Sequence, residues 1–154
     1  MNPLKAIAAL AVASVMTIGC SDGSDNNDNP APLQPNVREL VETLAADEMN
    51  GRDNLTAGSL LAQKFLIKAL EKIAAPVFPG LQGADGYLQH YAVGSNILAI
   101  VKGEELPEEY VMIGAHYDHH GNNCDDITAD DNICNGANDN ATGVAAVIDI
   151  VRSI

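Results

Sequence analysis

The sequence predicts an α/β fold in which a mixed sheet is covered by helices on both faces. Three observations carry that prediction. Apolar residues recur at helical spacing over residues 37–46, 57–74 and 142–154. Residues 97–101 and 110–115 are short, continuously apolar runs, the pattern of strands buried on both sides. The link between those runs is too short for a crossover helix and suits a hairpin, so the sheet is mixed rather than purely parallel.

The first residues stand apart from this fold. Lys5 precedes a mostly apolar run over residues 6–18, followed by Gly19 and Cys20. The run is too short to span a bilayer as a helix and matches the charged, apolar and small-residue regions of a secretory signal. The ending Thr17-Ile18-Gly19-Cys20 resembles a bacterial lipoprotein lipobox, with Thr17 where leucine is usual. That resemblance implies a lipoprotein-type signal over residues 1–19, a lipidated Cys20 and a membrane partner reached through the lipid. An ordinary cleaved signal with a cysteine nearby is the other reading. Residues 20–36 carry almost no apolar side chains and read as a disordered acidic tether. Ser21, directly after the cysteine, leans towards the outer membrane. The expected location is the bacterial cell envelope, lipid-anchored at the outer membrane or in the periplasm, or else outside the cell.

The folded part is then residues 37–154. Val37, Leu40, Val41 and Leu44 line one face of the first helix. A polar loop containing Gly51 leads to Thr56, a cap for a helix over 57–74 with Leu61, Phe65, Leu66, Leu70 and Ile73 as its buried stripe. Pro76 and Pro79 end it, and a short strand follows near residues 87–93. Val144, Val147, Ile148 and Val151 line the last helix. Three helices and two or three strands are thin for an independent layered domain, so the chain reads as the first part of a larger one.

The net charge is −13, from 8 basic and 21 acidic residues, with no basic cluster. This excludes nucleic acid as a partner and favours cations, including divalent metals and peptide amino termini. Cys124 and Cys134 lie ten positions apart in one loop, and export to an oxidising compartment would make them a disulfide. A thiolate metal site is the alternative, but the short paired spacing of zinc ribbons is missing.

Chemistry concentrates in residues 113–143. His116 follows the apolar run directly, where ligands bind in open α/β sheets. Asp118, two residues on, projects to the same side and is placed to accept the other ring N–H of His116. Asp139 stands where the last helix begins, with Gly136 allowing close approach. Each feature has a plainer account: His116 and Asp118 as a surface pair, Asp139 as a helix N-cap. His119 and His120 read as solvated or supporting residues. Asp125, Asp126, Asp130 and Asp131 offer a non-enzymatic alternative, a calcium-holding, lipid-anchored binding module. That loop lacks the alternating oxygen ligands of an EF-hand.

Taken together, Gly114-Ala115-His116-Tyr117-Asp118 and Gly136-Ala137-Asn138-Asp139-Asn140-Ala141-Thr142-Gly143 resemble the co-catalytic zinc aminopeptidases of metallopeptidase family 28. Bacterial leucyl aminopeptidases and glutamate carboxypeptidase II belong to that family. Residues 44–70, with their Gly-Arg loop, resemble its first two helices. Thr142 replaces the family's usual serine. The resemblance implies a three-layer α/β/α zinc-peptidase sandwich with a mixed sheet, of which only the N-terminal part is present. It implies two zinc ions, with His116 ligating one, Asp139 bridging both and Asp118 orienting His116. It also implies a cis peptide at Asp139–Asn140 and peptide or protein substrates cleaved at the N-terminal bond. The family's general-base glutamate and remaining ligands fall beyond Ile154, so no catalytic base is assignable and the chain by itself is expected to be inactive. A single-zinc glutaminyl cyclase shares this architecture. A family-20 peptidase shares the histidine and aspartate but not the second motif.

Overall fold

The structure is a computed structural model that describes residues 35–125, 128 and 130–154. The signal segment, Cys20, all but the end of the tether, and Asp126 lie outside the described residues. Helix α1, Val37–Leu44, begins where Asn36 closes a capping box. Its side chain accepts from the Glu39 amide (3.0 Å), and the Glu39 carboxylate accepts from the Asn36 amide (2.7 Å). Helix α2, Ala57–Leu70, starts at Thr56, whose hydroxyl accepts from the Ser59 amide. It ends four residues earlier than its periodicity predicts, because Pro76 draws Ala75 into extended backbone. Helix α3 is Thr142–Ser153.

The buried faces of the three helices form one core. Leu40 and Leu44 of α1 meet Ala62, Leu66 and Ala69 of α2 and Val144, Ala145 and Ile148 of α3. Small residues carry much of the α2 face, so its stripe is rotated from the predicted one. Leu61, expected inside, is 47% exposed, while Ala62 and Ala69 are buried. Ala115 and Tyr117 pack against this core from the side.

The strands form two small antiparallel pairs. Strand β1, Ala75–Pro76, pairs with β4, Ala99–Ile100. Strand β2, Leu88–Tyr91, pairs with β3, Gly94–Ile97, around the two-residue turn 92–93. The hairpin therefore forms between β2 and β3, not between residues 97–101 and 110–115 as the apolar runs predict. Residues 110–115 are unpaired, and Val111 and Met112 are 95% and 92% exposed. An apolar run becomes a buried strand only where a neighbouring strand takes its amides and carbonyls and a layer covers its side chains. Among the described residues no strand pairs with this run, and only Ala115 at its end reaches the core. The described residues mix helices with two small antiparallel sheets, an α/β content. No helix among the described residues is long and apolar enough to cross a membrane.

This arrangement sets a contrast in stability. Leu66→Ala should cost about 2–5 kcal/mol through transfer and cavity terms, whereas Val111→Thr should stay within about 0.5 kcal/mol. Urea unfolding of the two variants measures both, and a large loss at Val111 would mean that the segment is covered after all.

Candidate metal centre

His116 is aimed by its neighbours. Ala115 and Tyr117 face the core, so the side chain between them points the opposite way. The Tyr117 hydroxyl donates to the Ser95 carbonyl (2.8 Å) and accepts from Gln63 Nε2 (3.1 Å), which pins this stretch of backbone. Burial pushes the Tyr117 phenol above its ordinary range, so it stays a neutral donor.

The ring of His116 meets two groups. Its Nδ1 lies 3.1 Å from the main-chain carbonyl of Asp118 and 3.6 Å from the nearer carboxylate oxygen of the same residue. A carbonyl only accepts, so that bond puts the proton on Nδ1 and leaves the Nε2 lone pair facing outward. The hydrogen bond thus goes to the Asp118 backbone rather than to its carboxylate. The carboxylate instead accepts from Asn54 Nδ2 through its other oxygen, at 2.7 Å.

Nε2 of His116 lies 3.0 Å from Oδ1 of Asp139. Asp139 is not an N-cap. Its backbone is non-helical (φ −118°, ψ 89°), it sits inside a wide turn over Ala137–Ala141, and α3 begins only at Thr142. The N-cap position is Ala141, which has no capping side chain, and the side-chain oxygen of Asn140 before it accepts from the Gly143 amide (3.2 Å). The Asp139–Asn140 peptide is cis. Gly136 holds φ +60°, and a Cβ there would stand 2.5 Å from the Asp139 carbonyl oxygen and 2.6 Å from the His119 ring, so only glycine fits.

Both side chains of the His116–Asp139 pair are about half exposed. An imidazole lone pair and a carboxylate oxygen repel unless a proton or a cation lies between them. Nitrogen and oxygen donors of these types are what zinc takes. The pair therefore fits two ligands of one ion. Among the described residues no group of three histidine, cysteine, aspartate or glutamate side chains gathers to complete a site. The same holds for the acidic loop, where Asp125, Asp130 and Asp131 do not converge.

The second Asp139 oxygen lies 3.8 Å from Nδ1 of His119, beyond hydrogen-bonding reach. His119 is nearly buried and its ring stacks at a tilt against His120, centroids 4.8 Å apart. Burial pushes the His119 imidazole below its ordinary range, with His120 adding to the effect and Asp139 opposing it. Cys124 and Cys134 are joined, Sγ–Sγ 2.04 Å, in the loop that follows.

Two residues that no motif singles out complete the centre. Arg52 is fully buried. Its Nε donates to the Tyr117 carbonyl (2.8 Å), one terminal nitrogen to the Asn135 (2.7 Å) and Leu44 carbonyls, and the other to the Gly136 carbonyl (2.9 Å). Burial pulls its pKa down, while Asp118 and Asp139 support the charge. Asn54 holds Asp118, as described. The only signal for either was position, since the Gly-Arg loop falls inside the stretch that resembles the zinc aminopeptidases.

Residues 96–154 match the model of peptidase family M28. A probable zinc metalloprotease of Pyricularia oryzae is 26% identical over 132 aligned residues, covering 80% of this chain and 26% of the relative. The chain thus spans about a quarter of the length of that curated relative. No solved structure matches. The family match contains both His116 and Asp139.

The sign of the His119 effect gives a pH test. Its folded-state pKa is lowered, so between that value and about 6.5 the unfolded chain binds a proton the folded chain refuses. The stabilisation is present above about pH 6.5 and is lost as pH falls through this window. The unfolding free energy should drop between about pH 7.5 and about pH 5.5, and His119→Gln should flatten the decline. An equally steep decline in His119→Gln would remove His119 as its source.

Proposed function

We propose that this chain supplies the opening part of a co-catalytic two-zinc aminopeptidase centre. The observation that carries the reading is the convergence of His116 Nε2 and Asp139 Oδ1 at 3.0 Å, inside the segment that matches the M28 model. In this reading the His116 imidazole and the Asp139 carboxylate would hold zinc. Bound zinc would polarise the scissile carbonyl and bring a water towards deprotonation at neutral pH. The chain's own residues hold the donors. The Asp118 carbonyl fixes the His116 tautomer, and Gly136 and the wide turn present the Asp139 carboxylate. A general-base glutamate and further ligands are not assigned among these residues.

The substrates would be peptides or proteins with a free amino terminus, which the net charge of −13 attracts. A lipoprotein signal over residues 1–19, lipid on Cys20 and an acidic tether to residue 36 would place the enzyme in the cell envelope. The Cys124–Cys134 disulfide fits that oxidising setting.

In the protein extended by its downstream coding sequence, zinc-dependent release of an N-terminal amino acid should be abolished by His116→Ala. Full activity in that variant would reject the ligand assignment. Zinc content of two ions per chain is expected by elemental analysis, and one would favour the cyclase-like alternative. Asp118→Asn should weaken zinc binding about tenfold with the fold retained. Unchanged affinity would show that the Asp118 carbonyl suffices to orient His116.

A further inference from the structure

We propose that the loop of residues 50–54 is the positioning element of this centre, with Arg52 setting the separation of its two donors and Asn54 the orientation of Asp118. The proposal rests on the zinc-site reading above. His116 and Asp139 arrive from segments 23 residues apart in sequence. Further from the donors, the Cys134 amide donates to the Gly121 carbonyl (2.7 Å) and the Cys124–Cys134 disulfide closes the loop. Beside the donors themselves, the tie is the Arg52 side chain. Its Nε grips the carbonyl of Tyr117, the residue between His116 and Asp118, at 2.8 Å. Its terminal nitrogens grip the carbonyls of Asn135 and Gly136, which lead into the Asp139 turn, at 2.7 and 2.9 Å.

A guanidinium is planar and rigid, so two segments bonded to its opposite edges stand at a fixed distance. With Arg52 fully buried, water is not there to replace it. The backbone of the same loop adds to the grip. The Arg52 carbonyl accepts from the His119 amide (3.3 Å) and the Gly51 carbonyl from the Gly121 amide (3.0 Å). A Cβ on Gly51 would stand 2.3 Å from the Gly121 carbonyl oxygen, so the loop can lie this close only with glycine there. Asn50, Gly51 and Arg52 all hold positive φ, of 45°, 62° and 51°. Such a run costs free energy at the two non-glycine positions and persists where surrounding bonds fix it.

Asn54 acts on the other flank. By donating to Oδ2 of Asp118 at 2.7 Å, it leaves Oδ1 turned towards Nδ1 of His116. Neither residue touches the ion position. Both act through the groups that do.

The test is a Co2+ and Zn2+ titration of the chain, reading the dissociation constant and the cobalt d–d absorption, with thermal unfolding of each metal-free variant alongside. Asn54→Ala should weaken binding about tenfold and alter the cobalt band at an unchanged unfolding midpoint. Arg52→Lys, which keeps the charge but not the planar fork, should weaken binding at least as much. Asn135→Ala is the control. It breaks the bonds from that side chain to the Ala45 carbonyl and Asp47 without touching the guanidinium, so it should lower the midpoint and keep the affinity. Wild-type affinity and spectrum in Asn54→Ala, or in a folded Arg52→Lys, overturn the proposal. If Arg52→Lys does not fold, Asn54→Ala decides. If the wild-type chain binds no better than His116→Ala, the zinc-site reading falls, and this inference with it.

Discussion

One buried charge organises this chain. Arg52 is fully buried, with no carboxylate in direct contact among the described residues, and its partners are main-chain carbonyls drawn from three separate segments. Burying an ion costs free energy unless its donors are all used and geometry is good. That requirement works in reverse as a constraint. The end of α1, the stretch around Tyr117 and the entry to the Asp139 turn must all reach the same plane for the charge to be tolerated. The Leu44 carbonyl is also one of the unpaired acceptors at a helix C-terminus, where a cation is favoured by the dipole as well.

The helix core and the candidate centre are therefore two sides of one assembly. Leu40, Leu44, Leu66, Val144 and Ile148 bring α1, α2 and α3 together, and Ala115 and Tyr117 lean on that core. His116, between them, is turned outward to meet Asp139. The apolar packing supplies position and the guanidinium supplies spacing. Neither alone places an imidazole nitrogen 3.0 Å from a carboxylate oxygen.

Much of this was legible in the residues, for reasons that differ by element. The three helices announce themselves because their apolar spacing, and for the second the Thr56 cap, are local signals. His116 and Asp139 were found through motif context rather than chemistry, since either residue alone has a plain structural explanation. The partner of His116 Nδ1 was not legible. An HxD spacing brings the carbonyl and the carboxylate of Asp118 close together, and only coordinates separate them. Residues 110–115 misled because four successive apolar side chains say nothing about whether a neighbouring strand is present. Arg52 was invisible as an anchor because its acceptors are backbone atoms, which leave no trace in side-chain pattern.

The bare run at Val111 and Met112 also bears on how the molecule behaves in bulk. It combines unpaired amides and carbonyls with exposed apolar side chains, the ingredients of edge-to-edge sticking. Set against it is a net charge of −13, which keeps copies apart at low salt. The two act over different ranges: repulsion reaches about 10 Å at 0.1 M salt but only about 3 Å at 1 M, while apolar contact does not weaken with salt. The acidic surface thus opposes association of this chain, and raising the ionic strength weakens that opposition.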